Sequence, residues 1–532
     1  MRKGIHACLL CVPLVLPFTF STWRECGGTV RSTLESEIQF QHTSFLLGNN
    51  RMLFLRMAAQ LAFCGACLFC GVIALGSDYV VVVSKATQND AEWSQVVEEL
   101  VAKHQAEVVV YNKHISESLP ALRKTFPRYV CFVATSAEAG RQMVADVHRL
   151  TRTLDDDPYA DVLWGILTGY DAANALAIAK EREPLVIKRV ASGTELAMDR
   201  VTEGVWYCEL EQNRMVRKTP GGEANQSQGP SDTTQALAAT LTEYNADLFV
   251  TSGHATERNW QIGFRYRNGE FQSLAGQLFG VDTMGNKIPI LSANPKVYLP
   301  IGNCLMGHID GPDAMALAFM NSAGVRQMMG YTVPTWYGYG GWGCLDYFVE
   351  QPGRYTFVEA FFANQHALID RLETNFPEIA RRDTPPGSWP SSDFVLSDAA
   401  KKAGLSSDDG VGLLHDRDVV ALYGDPAWSA KLAPGKLSYE QTLTEVSAGV
   451  FSLEIKPLLG EKSFEPVNQN GSQRGWRPFV HFFPKRLKDI EIINGKELSP
   501  MITDNFVLIP NPKICDPNKT YRVEFKATLV TP

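Results

Sequence analysis

From Asp78 onward the chain alternates between two periodicities, and that alternation restricts its fold more than any other feature. "DYVVVVSK" is a β-branched run, "DAEWSQVVEELVAKHQ" carries apolar residues at helical spacing behind an aspartate, and "AEVVVYN" returns to strand. "ESLPALRKTF" followed by "RYVCFVA" repeats the unit, and "SAEAGRQMVADVHRLTRTL" adds a further helical period. Strands alternating with helices predict a largely parallel sheet covered on both faces.

At residues 218–232, "KTPGGEANQSQGPSD", the apolar pattern gives way to Gly, Pro, Gln and Ser, which reads as an exposed linker. The α/β pattern then resumes with "TTQALAATLTEYN", "ADLFVTSG" and "KVYLPIGN"; between the last two, "FRYRNGEFQSL" reads as a hairpin turning at Asn-Gly. "AMALAFMNSAGV" reads as helix and "QMMGYTVP" as strand. Past "VVALYGDPAWSAKL" helix disappears, and "VFSLEIKPL", "RPFVHFFP", "NFVLIPN" and "TYRVEFKATLV" have the length and turn spacing of a small β-sandwich. A chain of 532 residues is too long for one core. The expected division is an α/β subdomain at 78–217, the linker, a second α/β subdomain at 233–434 and a sandwich at 435–532.

Residues 1–77 read as targeting sequence rather than fold. Arg51 and Arg56 precede an apolar run that ends in the small residues Ala74, Gly76 and Ser77, the layout of an export signal. About 20 apolar residues would also serve as a membrane anchor, so both readings stay open and any membrane contact is expected through this segment alone. Met52 or Met57 would make a better start than Met1, so residues 1–51 read as either an artefact of start assignment or an unusual extension.

A formal net charge of −8 with no basic stripe argues against a nucleic-acid binder. Of the 11 cysteines, Cys131, Cys208, Cys304, Cys344 and Cys515 fall after residue 77. Five is odd, so a dense disulfide framework is not expected.

Two strand ends stand out. "ADLFVTSGHATERNW" delivers His254 just beyond a strand, and "VYLPIGNCLMGHIDG" delivers Cys304 just beyond another. Ligands of open parallel sheets bind at the carboxyl ends of strands, so adjacent strands would hold an imidazole and a thiol on one rim. The chemistry favours that pairing: the thiolate is the nucleophile, and an imidazole nearby takes the thiol proton and later returns one to a leaving amine. Gly253 and Gly302 would let substrate backbone approach, and backbone N–H groups at Gly253 and Cys304 would stabilise an oxyanion, each worth roughly 3 kcal/mol. Taken singly, His254 reads as a structural histidine and Cys304 as a packed thiol; it is their joint placement that favours a dyad.

"GHATERNW", "YLPIGNC" and "LYGDPAW" together resemble the gingipain family of cysteine endopeptidases, which has the caspase-like fold, over about Tyr79 to Pro532. That resemblance implies His254 as the catalytic imidazole, Cys304 as the nucleophile, and an immunoglobulin-like domain after the closing Gly-Asp-Pro. Glu257 and Trp260 match the family's pattern, whereas Asn303 stands in place of alanine and Ala255 in place of the glycine that the resemblance implies as a further oxyanion donor, a role its N–H could still fill. "DPYADVLWGILTG" is similar to a family segment whose first acid contributes to a pocket for a basic P1 side chain. The resemblance thus makes Asp157 a candidate for binding Arg or Lys, and Trp336 a candidate pocket wall. Asp155, Asp156 and Asp157 read equally as a solvated charge run.

Cys304 and His308 at i, i+4 would share a helical face, but zinc asks for three or four protein ligands and no second pair lies at suitable spacing, so no metal is expected. No cofactor is expected either; the resemblance permits calcium without support from the residues. His415 and Asp416 read as site-orienting or surface residues, and the glycine-aromatic run from Gly338 to Gly343 as a substrate loop or a tight turn set. The sequence therefore reads as an exported cysteine endopeptidase acting on polypeptide. Two alternatives stay open: a catalytically silent binding module of the cell envelope, and an acyl hydrolase or transferase using the same dyad.

Overall fold

The computed structural model describes residues 78–530; the expected signal or anchor segment lies outside them. Twelve strands form one continuous sheet. In chain order they are Tyr79–Ser84 (β1), Glu107–Tyr111 (β2), Tyr129–Val133 (β3), Leu163–Leu167 (β4), Arg189–Ser192 (β5), Glu203–Tyr207 (β6), Arg214–Lys218 (β7), Asn225–Gln228 (β8), Leu248–Thr251 (β9), Lys296–Pro300 (β10), Val325–Tyr331 (β11) and Val420–Tyr423 (β12). Their spatial order is β2-β1-β3-β4-β12-β11-β10-β9-β5-β6-β7-β8.

The sheet is mostly parallel but built in two blocks of opposite direction. β2, β1, β3, β4 and β12 run one way. β11, β10, β9, β5 and β6 run the other, and the blocks meet where β11 pairs antiparallel with β12 from Met328↔Tyr423 to Tyr331↔Val420. The central strands are apolar and buried throughout, as sheets covered on both faces require: β1, β4, β9, β10 and β12 expose none of their residues. Residues 218–232 lie within this sheet rather than between two; they are exposed over most of their length and carry the antiparallel edge strand β8. Strands from both sides of that segment, β5 and β6 before it and β9 and β10 after it, are direct neighbours.

A small antiparallel sheet, Asn259–Gln261, Glu270–Leu274, Gln277–Val281 and Lys287–Ile290, grows from the loop between β9 and β10. Its tight two-residue turn is Ala275-Gly276, both at positive φ, and not the expected Asn268-Gly269. Gly269 instead packs where a Cβ would meet Thr234 Oγ1 at 2.1 Å, so close packing rather than turn geometry requires that glycine.

The C-terminal part is a two-sheet sandwich. Tyr439–Ser447, Val450–Pro457, Tyr521–Leu529 and Leu487–Asn494 form one sheet, and Phe479–Phe482, Phe506–Ile509 and Met501–Ile502 the other. Alternation along the second sheet explains its apolar runs. Phe479, Val507 and Ile509 enter the sandwich core, while Val480, Phe506 and Leu508 belong to the core of the α/β unit. Both faces of that sheet are buried, which fuses the sandwich to the rest. Among the described residues no helix is long and apolar enough to cross a membrane.

Candidate active site

Four neighbouring parallel strands, β10, β9, β5 and β6, end on one rim, and each delivers polar residues there. Beyond β9 come Ser252, Gly253 and His254; beyond β10, Gly302, Asn303 and Cys304; beyond β5, Gly193 and Thr194; beyond β6, Glu209. β9 and β10 are in register at Thr251↔Pro300, and Ile301 N extends the ladder by donating to Thr251 O at 2.9 Å. His254 therefore lies three residues past its strand and Cys304 four.

Asn303 ties the two loops together. Its side chain is fully buried, its Nδ2 donates to Gly253 O at 3.0 Å, and its Oδ1 accepts the Thr251 hydroxyl at 2.7 Å. The imidazole and the thiol thus each begin one residue beyond a hydrogen-bonded pair. Gly253 has φ +99°, a conformation open to glycine alone at low cost, and this turns His254 off the strand direction. His254 is exposed and stacks on Phe264, with ring centroids 4.8 Å apart. Its carbonyl accepts Gln261 N at 2.9 Å, and Trp260 Nε1 donates to Ser252 O at 2.8 Å. Ala255 lies opposite Trp260 between the two rungs that flank it, so its N–H points away from that strand.

Cys304 is half-buried beside Thr335. The Thr335 N–H donates to Sγ at 3.2 Å, and Thr335 Oγ1 donates to Asn303 O at 3.0 Å. A backbone N–H aimed at sulfur stabilises negative charge there. Leu305, next in the chain, adopts φ +59°, a strained conformation for leucine, with its N–H bonded to Val333 O at 3.2 Å.

Glu257 and His308 form a second tie between the loops, with Glu257 Oε1 3.0 Å from His308 Nδ1. Hydrogen bonding to His308 pushes the Glu257 carboxyl below its usual range. Arg258 reaches Asp310 with both nitrogens, at 2.7 and 3.0 Å. His308 is thus engaged with Glu257 and, at 3.1 Å, with Arg141. Among the described residues no carboxylate forms an ion pair with His254.

Sequence reasoning passed over Glu209. It is 5% exposed, and its Oε1 accepts the Thr194 hydroxyl at 2.7 Å and faces the Ser252 hydroxyl at 3.4 Å, while its Oε2 is buried without a hydrogen-bond partner. Its carbonyl accepts Phe264 N, which joins the acid to the ring that supports His254. A Cβ on Gly302 would lie 3.5 Å from Ser252 Cβ and 3.4 Å from Trp342 Nε1. Glu209, Ser252, Gly302 and Trp342 therefore surround one spot two residues behind both His254 and Cys304. The readable signal was positional: "VWYCELE" ends a strand in an acid, as "VTSGH" ends one in histidine.

Asp157 is placed elsewhere. It lies in the loop entering β4, separated from β10 by β12 and β11, roughly 14 Å across at ~4.8 Å per strand. Its carboxylate oxygen lies within 4.8 Å of those of Asp155 and Asp161. Burial, then Asp155 and Asp504, raise it to about 7, and burial followed by Asp155 and Asp157 raises Asp161 to about 9. Among the described residues this is the one trio of such side chains close enough to hold a metal, and it is an all-oxygen set of the sort hard cations take; Cys304 and His308 belong to no such group. Trp336 follows Thr335, is 39% exposed and packs edge-on against Trp389 at 5.4 Å, with His415 stacked on Trp389 at 4.8 Å. Asp416 is buried, accepting the Tyr331 hydroxyl at 2.9 Å and Gly340 N at 3.1 Å. The Gly338 to Gly343 run is helix from Tyr339 onward.

No protein-family profile and no curated protein matches the chain. Among solved structures, the complex of the pro- and mature domains of RgpB from Porphyromonas gingivalis aligns over 84% of this chain and 99% of that one, at 12% identity and a TM-score of 0.39. A likeness that distant bears on no residue's role.

Proposed function

We propose that this chain is an exported cysteine endopeptidase of gingipain-like type, cleaving polypeptides after a basic residue. Cys304 Sγ attacks the scissile carbonyl carbon and His254 takes the thiol proton. The resulting oxyanion rests on backbone N–H groups at Cys304 and at Gly253 or Ala255; collapse expels the amine, protonated by His254, and leaves a thioester that water hydrolyses with His254 as base. The Phe264 ring stacks on the imidazole, and the Gln261 N–H holds the His254 backbone carbonyl, so the reading is a dyad with no carboxylate on the histidine.

One observation carries the reading: Asn303 joins the two strand ends at the residue before Cys304 and the residue before His254. A packed structural thiol has no need of such a tie. The basic P1 preference rests on Glu209, the acid whose buried, unpartnered oxygen lies behind both loops. A cationic side chain reaching past Gly302 would give that oxygen charge-assisted partners. Cleavage of a peptide-amide library by wild type and Cys304→Ala tests the proposal; full activity in the variant would overturn it.

A further inference from the structure

A strap from the sandwich runs back over Glu209, the candidate P1 acid. Between the 3₁₀ turn Gly460–Phe464 and the strand Phe479–Phe482, residues 468–477 place their polar groups on the α/β unit. Asn470 Nδ2 lies 3.3 Å from Glu209 Oε1 and 3.4 Å from Thr194 Oγ1. Ser472 Oγ donates to Tyr337 O at 3.0 Å, and Gly475 N to Asp346 Oδ2 at 2.8 Å. Gly471, at φ +105°, lies flat against Trp342, where a Cβ would come within 2.6 Å of the indole.

The two ends of the strap are held unequally. Arg474 pairs with Asp346 at 2.7 Å and with Glu350, Arg477 pairs with Asp346 at 2.9 Å, and the side chains of both arginines are almost fully buried. Gly471 and Ser472 are exposed. Arg474 Nη1 also donates to Asn470 O at 2.6 Å, so the arginines hold the Asn470 backbone, and it is the Asn470 side chain, with only long contacts at 3.3 and 3.4 Å, that is free to leave Glu209.

Glu209 gives that departure a purpose. A buried carboxylate oxygen without a partner carries a desolvation cost of a few kcal/mol, and the strap leaves Oε2 in that condition while its amide touches only Oε1, at a long distance. An ammonium or guanidinium brings charge and several donors to both oxygens. A neutral side chain brings neither and must still displace the Asn470 amide. We propose that the sandwich covers the P1 pocket in cis, and that Asn470 is a specificity-determining residue which a cationic P1 side chain displaces from Glu209. The inference rests on the peptidase reading. It makes selectivity a difference between substrates that recover the cost of opening and those that do not.

The test is the alkylation rate of Cys304 in the full chain with two chloromethyl ketone peptides that differ only in a terminal lysine or norleucine. In each, sulfur attacks the methylene carbon and chloride leaves. Wild type should prefer the lysyl reagent at least tenfold. Asn470→Ala should accelerate the norleucyl reagent about fivefold or more and change the lysyl rate less than twofold, lowering the ratio. Ser472→Ala, which loosens the strap without touching Glu209, should move the ratio the same way. Iodoacetamide, which needs no pocket, reports whether each variant keeps its thiol site. A ratio unchanged in both variants, with iodoacetamide still selective for Cys304, overturns the strap proposal and leaves the dyad standing. Unselective iodoacetamide labelling of wild type overturns both.

Discussion

Asn303 Nδ2 donates to the Gly253 carbonyl at 3.0 Å, joining the loops that carry the candidate nucleophile and its imidazole. Asn303→Ala leaves that carbonyl and the buried Thr251 hydroxyl without this partner, at about 1–3 kcal/mol. The expected outcome is a lower melting temperature together with a fall of tenfold or more in kcat/KM, read by calorimetry and peptide cleavage on one preparation. A normal kcat/KM with a lowered melting temperature would reduce Asn303 to a structural residue.

His254→Ala removes the proton acceptor but leaves Cys304 and its Thr335 N–H contact in place. Peptidase activity should drop by about a thousandfold or more. Iodoacetamide labelling of Cys304 at neutral pH should slow markedly and recover as the pH is raised, because hydroxide then performs the deprotonation.

Glu209→Gln keeps an acceptor for the Thr194 hydroxyl and removes the charge. Selectivity for lysine or arginine over norleucine at P1 should fall by about 1–3 kcal/mol, tenfold or more, with most of the change in KM for the basic substrates. An unchanged P1 profile would disconnect Glu209 from the substrate.

Asp161→Asn should stabilise the protein at pH 8 and do little at pH 4. With Asp161 raised to about 9 in the folded chain, against ~3.9 unfolded, the folded state binds more protons between those values. Stability therefore declines as pH rises through that window, and the amide removes the decline. A gain of a few degrees in Tm at pH 8 is expected, and Asp157→Asn should leave the P1 profile unaltered.

His148 and His366 are buried, and burial lowers them to about 4 and about 3. Below ~6.5 the unfolded chain binds protons that the folded chain refuses, so stability is full above that pH and is lost as pH falls, by about 1.4 kcal/mol per unit for each histidine. His366 stacks on Phe506 at 4.1 Å with both nitrogens unpartnered. His366→Phe should remove roughly half of the histidine contribution to acid sensitivity between pH 6.5 and 4, read as the difference in denaturant midpoints from wild type.

The strands were legible because their residues answer a local question. "YVVVVS", "LFVT" and "KVYLP" are apolar on both faces and had to be central strands of a covered sheet, and His254 and Cys304 followed at their ends. The sandwich was legible for the same reason: period-two patterns survive without knowledge of the partner surface. Direction and neighbourhood were not. A strand's sequence carries no mark of the strand beside it, so the antiparallel seam between β11 and β12 and the adjacency of β9 with β5 belong to the tertiary fold.

Asp157 and Glu209 separate the two kinds of information. Asp157 sits in a recognisable segment, yet the fold leaves it half-buried among acids near Asp504 and Arg486. Glu209 carries no motif at all, and only the packing of β6 beside β5, which in turn lies beside β9, brings it behind Ser252. Asn470, more than 200 residues from Thr194 and Glu209, joins them across what reads in sequence as a separate domain. The chain by itself determined which residues could be strand, helix, imidazole and thiol, because backbone pattern and side-chain chemistry are local. The tertiary structure alone decided which acid faces the thiol's rim and what covers it, because burial and charge contact are set by residues far apart in sequence.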